Sequence, residues 1–141
     1  MVRLENDIEI ITNFILDSIE KFKNHNGEFT SLGIYCCPTY NWITTCFNID
    51  RSLEDAFYNC PDFEFVEFTL LELERWEREY EMKTPAFKFE NSLFIANAGM
   101  GDEALNQFIF EFLSSVITSI KSEVKKEILL QMLDSEYNKV F

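Results

Sequence analysis

The sequence feature that most constrains the fold is a wide stripe of large apolar side chains near the C-terminus. After Asp102 they recur every three or four positions, the spacing of one helix face: Leu105, Phe108, Ile109, Phe112, Leu113, Val116, Ile117 and Ile120. A stripe of this width can cover one face of a sheet, so it predicts an α+β fold with Asp102 capping the helix. Because neither Gly nor Pro interrupts residues 102–141, we expect helical structure to continue, with a bend near residues 121–123, through Val124, Ile128, Met132 and Leu133.

Three β-prone runs precede this helix. Residues 31–37 and 42–49 are rich in apolar, β-branched and aromatic side chains, and the turn-forming residues 38–41 separate them. The two runs therefore predict a β-hairpin. Residues 62–70 predict a third strand, in which residues 66–67 break the strict alternation and indicate a β-bulge.

The other predicted elements are short apart from one N-terminal helix. Residues 5–24 carry Ile or Phe at helical spacing and predict that helix. A near capping box predicts a short helix over residues 52–58, and residues 71–81 return to the helical period. Residues 92–97 predict a short central strand, and residues 97–102 predict a tight turn into the C-terminal helix.

Chain length and composition favour a single folded domain. The chain has 141 residues, of which 47% are hydrophobic and fifteen are Phe, so it can bury a sizeable core and disorder is not expected. We predict one α+β domain over residues 1–141. Its small central sheet is expected to be mostly antiparallel, with the N-terminal helix and long C-terminal helices packed on it.

The four cysteines are Cys36, Cys37, Cys46 and Cys60. Adjacent residues on a strand point to opposite faces, so Cys36 and Cys37 cannot bind one metal without distorting the strand. The spacing also lacks the paired C-x-x-C units of a structural zinc site. Buried or half-buried free thiols are therefore predicted, ahead of a disulfide and well ahead of a metal site, and no metal ligands are assigned.

A block of acidic residues dominates the charge of the chain. Residues 54–81 contain ten carboxylates and two arginines, a net charge of −8 within a total of −13, interleaved with aromatic residues. This excess argues against direct nucleic-acid binding and against attachment to an anionic membrane. Residues 1–7 lack the basic and apolar regions of a signal peptide, and no run approaches the length of a membrane span, so a cytoplasmic location is expected.

Catalytic patterns are weak throughout the sequence. His25 is the only histidine, and it lies at a predicted helix end among polar residues, where a solvated role is usual. A nucleophilic cysteine would need a base of that kind. Residues 97–102 resemble the position of a phosphate loop but lack its lysine and full glycine pattern. The sequence predicts neither an enzyme nor a bound cofactor.

The order of elements resembles that of small bacterial immunity proteins, the antidotes encoded beside contact-dependent inhibition toxins and other polymorphic toxins. The resemblance rests on the helix, the hairpin sequence Ile-Thr-Thr-Cys-Phe-Asn-Ile-Asp at 43–50, and the acidic aromatic sequences Phe-Glu-Phe-Val-Glu-Phe at 63–68 and Glu-Arg-Trp-Glu-Arg-Glu-Tyr-Glu at 74–81. It implies that the chain binds and neutralises a cognate toxin domain, expected to be a basic nuclease. An acidic and aromatic face would block the toxin's active site or substrate groove.

This resemblance also indicates which residues would contact the toxin. They are the members of the acidic block expected to be exposed: Glu64, Glu67, Glu72, Glu74, Trp76, Glu77, Glu79 and Tyr80. As an immunity protein the chain would be a monomer or a weak dimer. The alternative is an acidic secretion chaperone of the type III kind, in which the long C-terminal apolar helix would form a dimer that binds an effector segment.

Overall fold

The computed structural model describes residues 1–97 and 99–141 and contains three helices and eight strands within those residues. The helices are α1 Ile8–Asn26, α2 Glu74–Tyr80 and α3 Asp102–Val124. Short 3-10 turns lie at Leu4–Asp7, Pro38–Tyr40 and Cys60–Asp62. The strands are β1 Val2–Arg3, β2 Ser31–Cys37, β3 Trp42–Asn48, β4 Phe65–Glu72, β5 Ala86–Phe89, β6 Ser92–Ile95, β7 Glu127–Met132 and β8 Asn138–Val140.

The larger sheet has five strands in the order β4-β3-β2-β7-β8. The predicted hairpin is confirmed, since β2 and β3 pair antiparallel from Ser31↔Asn48 to Cys37↔Trp42. The predicted bulge is also confirmed: the register of β3 and β4 shifts between Thr45 and Phe47, and Glu67 has a φ of 52°. Because β2 pairs parallel with β7, the sheet is mixed, which corrects the expectation of a small and mostly antiparallel sheet.

The expectation that helical structure continues to Leu133 is wrong. Helix α3 ends at Val124, where Lys125 takes a left-handed conformation with a φ of 57°. The chain then forms β7, which places Ile128, Leu130 and Met132 in the core between sheet and helices. Alternate apolar residues satisfy the period of a strand as well as they satisfy that of a helix, so the local pattern is ambiguous.

A second sheet contains three strands in the order β1-β5-β6. Strand β6 corresponds to the strand predicted at 92–97, but it lies at the edge of this small sheet, so its predicted central position is wrong. Strands β1 and β5 were not expected, because each is too short to show a period. The turn predicted at 97–102 includes Ala98, which lies outside the described residues.

Helices α1 and α3 cover one face of the larger sheet and form the main core. The stripe predicted on α3 is buried except for the half-buried Phe108, and Ile11, Ile15 and Phe22 of α1 are buried too. Phe22 stacks on Phe47 of β3 with ring centroids 4.1 Å apart, and Phe65 and Phe68 meet it edge to face. These aromatic contacts fix α1 against the bulged edge strand β4.

The opposite face of the larger sheet is covered by the segment between β3 and β4, here called the covering loop (residues 50–64). Its buried side chains form a second core with the sheet, made by Tyr35, Cys46, Leu53, Ala56, Cys60, Phe63 and Leu129. The loop lies close to the sheet because Gly33 has no side chain: a Cβ there would lie 2.8 Å from the Cys60 Sγ. Residues 52–58 form turns and not the predicted helix.

Candidate functional site

Trp76 does not belong to the protein surface, so its assignment to an exposed contact surface is wrong. Its side chain is fully buried, and the indole Nε1–H donates a hydrogen bond to Asp7 Oδ2 over 3.0 Å. The other oxygen of Asp7 forms an ion pair with Arg75. Asp7 is itself buried, so these two partners satisfy a carboxylate that would otherwise be costly to desolvate. Trp76 therefore anchors α2 to the start of α1.

Glu64 is exposed, but its carboxylate holds the covering loop in place. Oε2 accepts hydrogen bonds from the backbone N–H groups of Ile49, Asp50 and Arg51 at 2.5, 2.9 and 3.3 Å. Desolvation raises the pKa of the Glu64 carboxyl, but these three donors together outweigh it, and the pKa lies below its ordinary value. Glu64 is therefore committed to contacts within the chain.

Glu79 and Tyr80 also make contacts within the chain. Glu79 lies 2.5 Å from the N-terminal ammonium group and accepts a hydrogen bond from the Ala86 N–H, and only 11% of its side chain is exposed. The Tyr80 hydroxyl donates to Asp102 Oδ1 at the start of α3 over 2.5 Å. That hydrogen bond raises the pKa of Tyr80 to about 12, and burial adds to the effect. Asp102 thus accepts a hydrogen bond from the Tyr80 hydroxyl. It does not cap α3 as predicted, because Gly101 occupies the capping position.

The other four predicted contact residues are exposed and unpaired: Glu67, Glu72, Glu74 and Glu77. None of these carboxylates has a hydrogen-bond or ion-pair partner among residues 1–97 and 99–141. Within the same residues the structure has only three ion pairs, made by Asp7, Glu28 and Glu79. Most of the 25 acidic side chains are therefore left without an opposite charge, and their field extends into solvent.

One face of the larger sheet combines Glu72 and acids of the covering loop with exposed apolar groups. Leu70 of β4 lies opposite Thr44, and Glu72 lies opposite Trp42, so both share the sheet face that carries the covering loop. Leu70 is 58% exposed because the loop covers the centre of the sheet and not its edge strand. We call this surface the open face; its exposed residues are Glu54, Asp55, Phe57, Tyr58, Asp62, Leu70 and Glu72.

Two aromatic residues of the covering loop point away from the protein. Phe57 is 77% exposed and Tyr58 is 51% exposed, whereas their neighbours Leu53 and Ala56 are buried beneath them. The candidate contact residues predicted from the sequence did not include this pair. The capping-box pattern at Ser52, closed by Pro61, could have indicated that the loop is short and well ordered, but it does not indicate which side chains face solvent.

The four cysteines are buried free thiols, which confirms that prediction. Cys46 and Cys60 lie in the second core, where the neighbouring Cys46 thiol raises the pKa of Cys60 and burial raises it further. Burial likewise raises the pKa of Cys36. His25 lies at the exposed end of α1, where its Nδ1 is 2.8 Å from the Lys21 carbonyl oxygen. The histidine and the cysteines are thus engaged in separate local contacts.

Comparison with family models, with curated proteins and with solved structures found no match to this chain. Among the described residues, no helix is both long and apolar enough to cross a membrane. The same residues contain no group of three or more His, Cys, Asp or Glu side chains placed to hold a metal ion. The functional argument therefore rests on the surface of the molecule.

Proposed function

We propose that this chain is an immunity protein, which binds a basic toxin domain and neutralises it by covering its active site or substrate groove. The observation that carries the proposal is the set of exposed, unpaired carboxylates beside the exposed apolar groups of the open face. Buried apolar groups supply most of the affinity of a protein interface, while charges at the rim supply steering and selectivity. The open face presents both kinds of group to solvent.

The charge of the surface favours a basic partner. Carboxylates left unpaired within a protein repel one another, and a positively charged surface would relieve that repulsion on binding. A nuclease that binds phosphates presents such a surface, and carboxylates can occupy the positions where phosphates would otherwise lie. Charge complementarity thus supports a nuclease as the class of the toxin.

The structure gives less support to the alternative of a secretion chaperone. That alternative relied on the apolar C-terminal helix as a dimer interface. Helix α3 instead buries its apolar stripe against the larger sheet and α1, with Ile109, Phe112, Leu113 and Ile117 fully buried. Little of the apolar surface of that helix is left for a second copy.

A charge-reversal experiment tests the proposal directly. The probe is the purified C-terminal domain encoded by the open reading frame adjacent to that of this chain. The test variant is Glu54→Lys/Glu72→Lys, in which both acids belong to the open face and are exposed and unpaired. We expect it to bind the probe with a lower association rate and a weaker salt dependence than the unchanged chain, and to keep its circular dichroism spectrum.

The matched control is Asp17→Lys/Glu20→Lys on α1, whose side chains are also exposed. It changes the net charge equally but on the helix side of the molecule. At about 0.15 M salt, charges more than about 8 Å from the interface are largely screened, so the control should associate nearly as fast as the unchanged chain. Failure of the unchanged chain to bind the probe, or equal slowing by both variants, would contradict the proposal.

A further inference from the structure

The aromatic pair of the covering loop lies exposed on the surface of the protein. Phe57 and Tyr58 are 77% and 51% exposed, and no aromatic stacking or side-chain hydrogen bond to them occurs among the described residues. Building on the proposed function, we propose that Phe57 and Tyr58 form the aromatic anchor with which the open face binds a folded basic protein domain. Neither residue belongs to the set predicted from the sequence.

The backbone at this pair favours other residue types. The Tyr58 N–H bonds to the Leu53 carbonyl and the Phe57 N–H to the Glu54 carbonyl, the two hydrogen bonds of a Schellman motif. Phe57 occupies the position of that motif that glycine usually fills, with a φ of 56°, and Tyr58 follows with a φ of 49°. Bulky side chains are disfavoured in this left-handed region, so stability alone would select glycine or asparagine. The aromatic side chains are kept at a cost to stability, as is common at functional sites.

The covering loop holds this pair on a rigid platform. Beneath it the Cys60 N–H donates to Gln131 Oε1 over 2.6 Å, and Gln131 Nε2 donates to Asn59 Oδ1 over 2.8 Å. Ser52 and Asp55 bond each other's backbone N–H groups at the start of the turn. A pre-ordered aromatic anchor loses little conformational entropy on binding, which increases its contribution to affinity.

The residues around the pair indicate the partner. Glu54, Asp55 and Asp62 lie on the same loop, and Arg51 is the one basic side chain of that loop. Apolar rings surrounded by carboxylates complement an apolar pocket surrounded by Lys and Arg. A second copy of this chain would place acid against acid, so charge complementarity favours a basic protein domain over self-association.

The experiment compares Phe57→Gly with a control, Leu93→Ser, which removes another exposed apolar side chain (53%) from β6. Binding of both variants and the unchanged chain to the same C-terminal domain is measured by calorimetry, and thermal unfolding is recorded for each. Because glycine suits the left-handed position, we expect Phe57→Gly to raise the melting temperature. We also expect it to raise Kd by about 30-fold or more, as loss of a hot-spot residue does. Leu93→Ser should leave Kd unchanged within about twofold.

The outcomes separate this inference from the proposed function. If the unchanged chain binds the domain and Phe57→Gly binds equally well, the anchor is overturned while the proposed function stands. If the unchanged chain does not bind, the proposed function fails and the anchor fails with it. If light scattering shows a dimer that Phe57→Gly dissolves, the pair serves self-association and the inference is wrong. Should Phe57→Gly prove misfolded, Phe57→Asn tests the same loss with another residue that tolerates this conformation.

Discussion

The close approach of the covering loop to the sheet leads to a quantitative prediction for Gly33. A Cβ at this position would lie 2.8 Å from Cys60 Sγ, 3.0 Å from a ring carbon of Phe63 and 3.2 Å from the Cβ of Cys46. The first two atoms belong to the covering loop, so Gly33→Ala should push that loop away from the sheet. Overpacking of this kind costs about 1–3 kcal/mol. Alanine loses less conformational entropy than glycine when a strand forms, and this difference stabilises the variant by about 0.5–1 kcal/mol.

A double-mutant cycle isolates the contact responsible. Gly33→Ala should lower the free energy of unfolding by about 1–2 kcal/mol net. Cys60→Ala removes a buried sulfur and should cost about 1–2 kcal/mol by itself. In the double variant the new methyl group occupies space that the sulfur has left, so its loss should be about 1 kcal/mol smaller than the sum of the single losses. Urea unfolding followed by tryptophan fluorescence measures all four chains.

Gly101 provides a control for the substitution at Gly33. Gly101→Ala places its Cβ in open space, so whatever it costs at the capping position of α3 should simply add to the cost of Cys60→Ala. Substitutions that do not interact add within about 0.3–0.5 kcal/mol. Strict additivity of Gly33→Ala and Cys60→Ala would therefore show that the loop does not rest on Gly33 through the Cys60 sulfur. In that case our account of how the sheet positions the open face would be wrong.

Three further predictions concern residues that bind within the chain. Because the pKa of Glu64 is lowered in the folded state, its stabilising effect is full above the ordinary carboxyl pKa and disappears as pH falls through the lowered value. Glu64→Gln should thus reduce stability by more at pH 7 than at pH 2, as urea titrations at the two values would show. Trp76→Phe removes the donor to Asp7 and should cost about 2–3 kcal/mol in urea unfolding. The pKa of Tyr80 is raised to about 12, so its stabilising effect is full below the ordinary pKa of 10.0 and is lost as pH rises toward 12. Tyr80→Phe should remove this alkaline loss, which unfolding measured between pH 8 and pH 11 would detect.

Elements with a strong local period could be predicted from the sequence. Helix α1, the hairpin of β2 and β3, the bulge at Glu67 and the start of α3 all lie close to their predicted positions. Each depends on a run of seven or more residues or on a turn whose chemistry is local. The pairing of β2 with β7 joins Leu32 to Ile128, about a hundred positions away, and no local pattern encodes it. The local pattern of residues 127–132 therefore predicts an extension of the preceding helix.

The contact residues were harder to predict because exposure depends on distant partners. Trp76 has the sequence neighbours of a surface residue, with acids and arginines on both sides. It is buried because Asp7, 69 positions earlier in the chain, accepts its N–H. Conversely, Phe57 follows a capping turn and could equally have pointed into the second core. The left-handed backbone conformation that exposes Phe57 is disfavoured for bulky side chains, so conformational propensity alone does not predict its exposure.

The acidic block divides into carboxylates with two different roles. Glu64 and Glu79 accept hydrogen bonds from backbone N–H groups within the chain, and Glu79 also pairs with the N-terminal ammonium group. The charge of these two carboxylates therefore stabilises the fold. The unpaired acids of β4, α2 and the covering loop supply the field outside the molecule. Long-range charge acts mainly on the rate of encounter, whereas a buried aromatic anchor acts mainly on the rate of dissociation. If the open face is the interface, reversal of Glu72 must therefore appear in the association rate and loss of Phe57 in the dissociation rate. A surface whose acids and aromatic residues changed the same rate would not be organised as we infer.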